Sequence, residues 1–229
     1  MKVIKMFEIL TTGQLLQRLK NAPISREIKQ LHYHHTWKPN HSNYDGNNGI
    51  QLQENMKRYH VENLKWSDIG QHLTLLPDGR WVTGRDINRD PASIVGWNAG
   101  ALAIEMMGNF NHGGDVFGGA QAESAYQLGA FFLENFKRNP EDIKFHRDNS
   151  SAGNATCPGD TIDKAIFVDE ILKRFKGEKI VVEVKTAEQA LETLQKAGII
   201  QSPDYWLKVV DVVNYQRDLL INMANYIRK

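Results

Sequence analysis

Residues 31–36 read Leu-His-Tyr-His-His-Thr, a short run of aliphatic, aromatic and histidine side chains. The run is followed by a proline and then by a stretch rich in Asn and Gly, which is typical of a loop. We therefore predict a β-strand over residues 30–36 that ends at this loop. Because side chains alternate along a strand, His32 and His34 would share one face and His35 would point to the other.

Strands and helices are predicted to alternate around this strand. The apolar run at residues 101–107 is short enough for a central strand, although it contains Glu105. Thr11 and Gln14 form a capping box at the start of the first helix. The remaining patterns predict helices at residues 11–20, 50–61, 121–137 and 163–175, a hairpin within 72–84, and a strand at 143–146. This alternation predicts an α/β fold, a mixed central β-sheet flanked by helices.

A change in composition at Gly177 predicts a domain boundary. The larger domain would span residues 1–176, with its core at 28–165. Residues 177–229 would form a small, mainly helical C-terminal module. The apolar residues of its last helix alternate steps of three and four, which predicts packing on a neighbouring helix or, as the alternative, a homodimer through this helix.

Charge and composition exclude several classes of partner. The 229 residues carry 28 basic and 27 acidic side chains, and no basic stripe predicts a nucleic-acid partner. No apolar run approaches the roughly 18 residues that a membrane span requires. Lys5 and Glu8 interrupt what would be the apolar core of a signal peptide, so we expect synthesis in the cytoplasm without one. One cysteine excludes an internal disulfide and any site that needs two thiolates.

Three residues of types known as metal ligands lie in three separate motifs. His34 belongs to the opening strand, His146 begins a His-Arg-Asp triplet, and Cys157 begins Cys-Pro-Gly eleven positions later. Two imidazoles and a thiolate form a three-ligand zinc set that leaves a fourth position for water. Each residue taken alone is more often structural than a ligand, and His32 is the alternative to His34 on the same face.

The order of these motifs resembles the type 2 N-acetylmuramoyl-L-alanine amidases, the zinc family that also contains the peptidoglycan recognition proteins and several phage lysins. The resemblance runs from about Leu31 to Asp160. It rests on Tyr33-His34-His35-Thr36, Trp66-Ser67-Asp68-Ile69-Gly70-Gln71-His72, Gly96-Trp97-Asn98, Gly108-Asn109-Phe110, His146-Arg147-Asp148 and Cys157-Pro158-Gly159.

The resemblance implies roles for individual residues. Zn²⁺ would be held by His34, His146 and Cys157. Glu105 would act as the general base, as in relatives with a Gly-Ile-Glu strand, and His72 would hydrogen-bond the developing oxyanion. An unpaired carboxylate inside an apolar strand costs several kcal/mol, which independently favours a functional Glu105.

Several positions depart from the family pattern or have a structural interpretation. Gln71 stands where many relatives carry a catalytic Tyr, and Ser93 stands where many carry a His near the cleft. We expect Asp68 to cap the turn before Ile69 and His60 to pack behind the site, with a supporting contact to a ligand as the alternative for either residue.

The function implied is that of a zinc-dependent peptidoglycan hydrolase that cleaves the amide between N-acetylmuramic acid and L-alanine. The alternatives are a non-catalytic muropeptide-binding protein and a cytoplasmic muropeptide-recycling amidase. Residues 177–229 resemble the tails of phage and bacillus-type lytic amidases, which predicts wall binding or dimerisation. We expect an endolysin or autolysin that reaches the cell wall by holin-type release or non-classical export.

Overall fold

A computed structural model describes residues 7–153, 156–175, 191–192 and 194–195 of the chain. The chain divides into two units, Met1–Lys176 and Gly177–Lys229, and the fold below is that of the first unit. In the second unit the described residues are helical. The terminal helix and the homodimer predicted for that unit lie outside the described residues.

Six strands, β1 to β6 in chain order, form one mixed sheet in the described part of the chain and span Ile9–Leu10, Gln30–His35, Leu73–Leu75, Trp81–Thr83, Ala101–Met106 and Ile143–Phe145. Their order in the sheet is β1-β4-β3-β5-β2-β6. Strands β1, β4 and β3 pair antiparallel, whereas β3, β5, β2 and β6 run parallel. The predicted mixed α/β sheet is confirmed.

The described α-helices, α1 to α4, span Thr12–Asn21, Gly49–Arg58, Gly119–Asn135 and Lys164–Phe175. Helix α1 begins at the predicted capping box of Thr11 and Gln14. Helix α2 is followed by a π-helical turn at Tyr59–Asn63, so the helix predicted at residues 50–61 changes its hydrogen-bonding pattern before it ends. Among these helices none has both the length and the apolarity to cross a bilayer.

The main hydrophobic core lies on one face of the sheet, under α1, α3 and α4. Tyr33 of β2 and Ile104 of β5 are fully buried in this core, and the Tyr33 hydroxyl donates to the Ala125 carbonyl of α3 at 2.7 Å. Because side chains alternate along strands, the next residues, His34 and Glu105, point to the opposite face. The sequence thus places its polar side chains on the face that the three helices leave uncovered.

Candidate metal centre

The structure brings His34, His146 and Cys157 together at one edge of the sheet. Their ligand atoms all lie within 4.8 Å of one another. His34 is near the end of β2, and His146 follows directly after β6, its parallel neighbour. The carboxyl ends of parallel strands meet at the same edge, and this topology brings the two imidazoles together.

The loop that carries Cys157 is held by Arg147. The Arg147 backbone N–H donates to the Cys157 carbonyl at 3.0 Å, and its guanidinium donates to the Gly159 carbonyl at 2.7 Å and the Thr156 carbonyl at 3.3 Å. Gly159 has a φ of +128°, and a Cβ there would lie 2.4 Å from the Phe110 carbonyl oxygen. The Arg of His-Arg-Asp and the Gly of Cys-Pro-Gly therefore both fix the position of the thiol.

His34 presents its Nδ1 atom to the cluster. Nδ1 lies 3.6 Å from the Cys157 Sγ, whereas Nε2 lies 2.6 Å from the Ser93 Oγ on the other side of the ring. The His34 and His146 rings meet edge to face, with centroids 4.7 Å apart. Burial holds the pKa of His34 well below its ordinary value, so the imidazole is neutral, which is the form that binds metals.

Cys157 is only 2% exposed, and burial raises the pKa of its thiol, with a further increase from the charge of Glu105. The His35 backbone N–H bonds the sulfur and acts in the opposite direction. A buried thiol beside two imidazoles is the kind of N₂S donor set that suits Zn²⁺, because a cation would compensate the thiolate charge that burial disfavours. The residues present therefore fit a zinc ion.

Glu105 lies next to the metal-ligand cluster. It pairs with His34 in the register of β5 and β2, so both side chains leave the same face of the sheet. Its Oε2 atom is inaccessible to solvent and has no hydrogen-bond partner among the described residues. Burial raises the pKa of this carboxyl to about 8. A buried carboxyl oxygen without a hydrogen-bond partner, beside possible ligands, is typical of a functional group.

Glu105 lines a cleft of about 490 Å³. Its walls include Thr36, Tyr59, His60, Gln71 and Glu105. This volume is within the usual range for small-ligand sites, roughly 300–1,000 Å³.

Gln71 is a buried residue beside the cleft. Its Nε2 donates to the Thr74 hydroxyl at 2.9 Å, and that hydroxyl donates to the Gln53 Oε1 at 2.7 Å. These bonds orient the Gln71 amide, which is 1% exposed, and leave its Oε1 without a hydrogen-bond partner among the described residues.

His72 does not have the role that we predicted for it. The side chain is 3% exposed; its Nδ1 accepts from the Ala103 N–H at 3.0 Å, and its Nε2 donates to the Arg89 carbonyl at 2.9 Å. Both ring nitrogens are thus used inside the fold, and the ring has no N–H left for an oxyanion. The prediction is corrected: His72 links the segment before β3 to β5.

The remaining predicted residues lie around the centre. His32 is outside the three-residue cluster and contacts Ser93 and Gln30 instead. Asp68 caps the Ile69 N–H at 2.8 Å, as predicted. His60 accepts from the Gly70 N–H at 3.1 Å and lines the cleft.

Comparison with known proteins places this geometry in a family. Residues 24–160 match the family described as N-acetylmuramoyl-L-alanine amidase, a segment longer than half of the chain. The chain belongs to this amidase family. The matched segment contains His34, Glu105, His146 and Cys157, so the whole candidate centre of this amidase-family protein lies within it.

The curated relatives of this amidase-family chain include peptidoglycan recognition proteins. Peptidoglycan-recognition protein SC2 of Drosophila melanogaster is 38% identical over 61 residues, which cover 27% of this chain and 33% of that protein. Peptidoglycan recognition protein 1 of Mus musculus is 28% identical over 123 residues, 51% of this chain and 62% of that protein. The chain spans about a third of the length of the fly relatives it matches.

Solved structures share the fold of this amidase-family domain. N-acetylmuramoyl-L-alanine amidase LysC from Clostridium intestinale aligns with a TM-score of 0.53 and 24% identity, covering 66% of this chain and 91% of that chain. The Apis mellifera protein PGRP-SA aligns with a TM-score of 0.52 and 23% identity, covering 62% and 83%. These likenesses show the fold, and the family match supports a function related to peptidoglycan.

Proposed function

We propose that this protein is a zinc-dependent amidase that hydrolyses the bond between N-acetylmuramic acid and the L-alanine of the stem peptide in peptidoglycan. One observation carries the proposal: the ligand atoms of His34, His146 and Cys157 lie within 4.8 Å of one another. The unsatisfied Oε2 atom of Glu105, on the strand next to His34, supports it. Membership of the amidase family supports the choice of bond.

His34, His146 and Cys157 would hold the ion, which when bound supplies a Lewis acid that polarises the scissile carbonyl and makes a water more acidic. Glu105 accepts the proton of the attacking water as a carboxylate. It then donates this proton to the alanine nitrogen as the C–N bond breaks. Water is added across the amide, and the carboxylate is restored. The raised pKa of Glu105 favours a carboxyl group that holds this proton near neutral pH.

Gln71 would bind the substrate through its free amide oxygen. Because this oxygen only accepts hydrogen bonds, its partner is an N–H group, which a stem peptide supplies along its backbone. The hydrogen bonds from Gln71 to Thr74 and from Thr74 to Gln53 hold the amide in one orientation beside the cleft. Gln71 would therefore orient the peptide rather than stabilise an oxyanion.

The test is hydrolysis of a defined muropeptide before and after chelation. We expect the purified chain to contain about one zinc per molecule, to lose turnover when the metal is removed, and to regain it on addition of zinc. The expected products are a free muramic acid lactyl carboxylate and a peptide with an L-alanine amine. Turnover that persists unchanged in the metal-free chain would contradict the proposal.

A non-catalytic muropeptide-binding protein is the second candidate, favoured by the relatives named peptidoglycan recognition proteins. Cys157→Ser distinguishes the two functions. An amidase loses turnover in this variant, whereas a protein that only binds keeps its affinity and shows no products in the wild type either. His112→Asn, in an exposed loop, is the matched control and should change neither property.

A further inference from the structure

A chain of hydrogen bonds runs from the rim of the sheet to the candidate ligand His34. Gln30 Oε1 lies 2.9 Å from His32 Nε2, His32 Nδ1 lies 3.0 Å from Ser93 Oγ, and Ser93 Oγ lies 2.6 Å from His34 Nε2. His32 is fully buried, and Ser93 is itself held by its backbone N–H, which donates to the Asn98 Oδ1 at 2.9 Å. Gln30, His32 and Ser93 take no direct part in the proposed chemistry.

The hydrogen bond between Gln30 and His32 determines which atom is the donor in each of the following bonds. A carbonyl oxygen such as Gln30 Oε1 can only accept, so the hydrogen of His32 is on Nε2. A neutral imidazole has one N–H, and the other nitrogen is then an acceptor. His32 Nδ1 therefore accepts, and the hydroxyl of Ser93 is its donor.

The Ser93 hydroxyl in turn determines which atom is the donor in its hydrogen bond with His34. A hydroxyl has one hydrogen, and Ser93 gives it to His32, so its oxygen is left to accept from the other ring. His34 must then carry its hydrogen on Nε2, at 2.6 Å from that oxygen. Its Nδ1 consequently carries a lone pair, on the side of the ring that faces Cys157 Sγ at 3.6 Å.

We infer that Gln30, His32 and Ser93 are positioning residues that fix the tautomer of His34 in the form that binds the metal. In the other tautomer of His34 the hydrogen would be on Nδ1, and it would block the bond from this nitrogen to the ion. The inference rests on the proposed zinc site, and it explains why a second histidine lies on the same face two positions before the ligand. Residues that orient a metal-bound imidazole typically change metal affinity by roughly 10–100-fold when they are replaced.

Zinc affinity of the full chain tests the inference, measured by competition with a chromophoric chelator. Ser93→Ala removes the acceptor for His34 Nε2, and Gln30→Met removes the acceptor for His32 Nε2. We expect both to weaken zinc binding by about tenfold or more. Ser93→Thr keeps the hydroxyl and Gln30→Glu keeps an acceptor, so these matched variants should stay within about threefold of the wild type.

Nitrogen-15 spectra of the metal-free chain, labelled at its eight histidines, give a readout that a merely structural role would not move. We expect the hydrogen of His34 on Nε2 in the wild type and in Ser93→Thr. In Ser93→Ala and Gln30→Met we expect a mixture of both tautomers. Gln30 lies at the start of β2, so its variants keep the test valid if Ser93→Ala does not fold.

Two results would overturn the inference. One is a wild-type His34 whose hydrogen is on Nδ1 in the metal-free chain. The other is a zinc affinity that Ser93→Ala and Gln30→Met both leave unchanged. A wild-type chain that binds no zinc contradicts the proposed function instead, and the tautomer of His34 still decides the inference.

Discussion

Glu105 is the residue proposed to transfer the proton, and it lies on an apolar strand. It is a carboxyl group on a strand whose other side chains are apolar, and burial raises its pKa to about 8. Glu105→Gln keeps the shape and removes the proton transfer. We expect turnover of a muropeptide to fall by roughly 10²–10⁴-fold, the usual contribution of a general acid–base group.

Two controls accompany this variant. Zinc content should be unchanged in Glu105→Gln, because Glu105 is not among the three clustered ligands. Thermal stability should be equal or slightly higher, since the amide removes the cost of burying a carboxylate. Full turnover in Glu105→Gln would assign the proton transfer to another residue.

His72 makes stability depend on pH. Burial lowers its pKa to about 4 from an ordinary value of 6.5. Between these pH values the ring binds a proton in the unfolded chain but stays neutral in the folded chain. The free energy of unfolding therefore falls as pH falls from about 6.5 to 4. The contribution of this one group is about 3 kcal/mol, fully present above pH 6.5 and lost below pH 4.

Urea unfolding of the metal-free chain between pH 7.5 and 4 measures this effect. His72→Asn retains an acceptor for the Ala103 N–H and removes the titration. We expect it to be less stable at pH 7.5 and to lose less stability toward pH 4 than the wild type. The exposed His112→Asn serves as the control, and identical slopes in all three proteins would rule out the assignment.

The candidate site residues could be predicted from the sequence where each lies in a short local motif. His34, His146 and Cys157 were chosen from three motifs, and the structure brings their ligand atoms together. Ser93 could be noted only as a departure from the family pattern, because its partner His34 is 59 positions away. His72 was placed wrongly for the same reason, since sequence does not show that both ring nitrogens are used inside the fold.

At the scale of elements, the loop after β6 depends on one side chain. Arg147 donates to carbonyls on both sides of Cys157, which a planar guanidinium can do and an ammonium cannot do with the same geometry. Arg147→Lys keeps the charge and loses this bridging.

We expect zinc affinity of Arg147→Lys to fall by about tenfold, because the thiol is no longer held beside the imidazoles. The sheet and helices should be unchanged by circular dichroism, as the bridge holds a loop. Arg138→Lys offers a matched control, since Arg138 also donates to a backbone carbonyl, that of Ile28, away from the centre. Equal zinc affinity in Arg147→Lys and Arg138→Lys would show that the loop needs no bridge.

Most elements could be predicted from periodicity and breakers, whereas their arrangement could not. The strands over 30–36 and 101–107 and the helix after Thr11 agree with the structure because local patterns determine them. The order β1-β4-β3-β5-β2-β6 places strands distant in sequence side by side, and this depends on how the whole core packs. The π-helical turn at Tyr59–Asn63 has no sequence signal that we can identify.

At the scale of the molecule, the residues of the candidate site lie in the first unit. The match to the amidase family ends at residue 160, and the second unit begins at Gly177. We expect a chain shortened to residues 1–176 to cleave a soluble muropeptide within about threefold of the full chain. On intact cell walls we expect at least a roughly tenfold loss, because a second contact to a polymer raises its effective concentration.

Parallel assays on the two substrates distinguish this from other roles of residues 177–229. Equal losses on both substrates would show that the second unit supports the site itself, and no loss on walls would remove the wall-binding role. Light scattering of both chains at the assay concentration tests the alternative: a dimer that is present only in the full chain would assign dimerisation to the second unit.

His34 and Glu105 are paired across two parallel strands, so the proposed activity would depend on the correct register of β2 and β5. A shift of β5 by one residue would turn Glu105 toward the hydrophobic core and bring Ile104 to the cleft. Such a chain could retain the same secondary structure and even its metal, yet it would be inactive. In a refolded sample, the ratio of turnover to bound zinc would therefore count the molecules in which these two strands have found their native alignment.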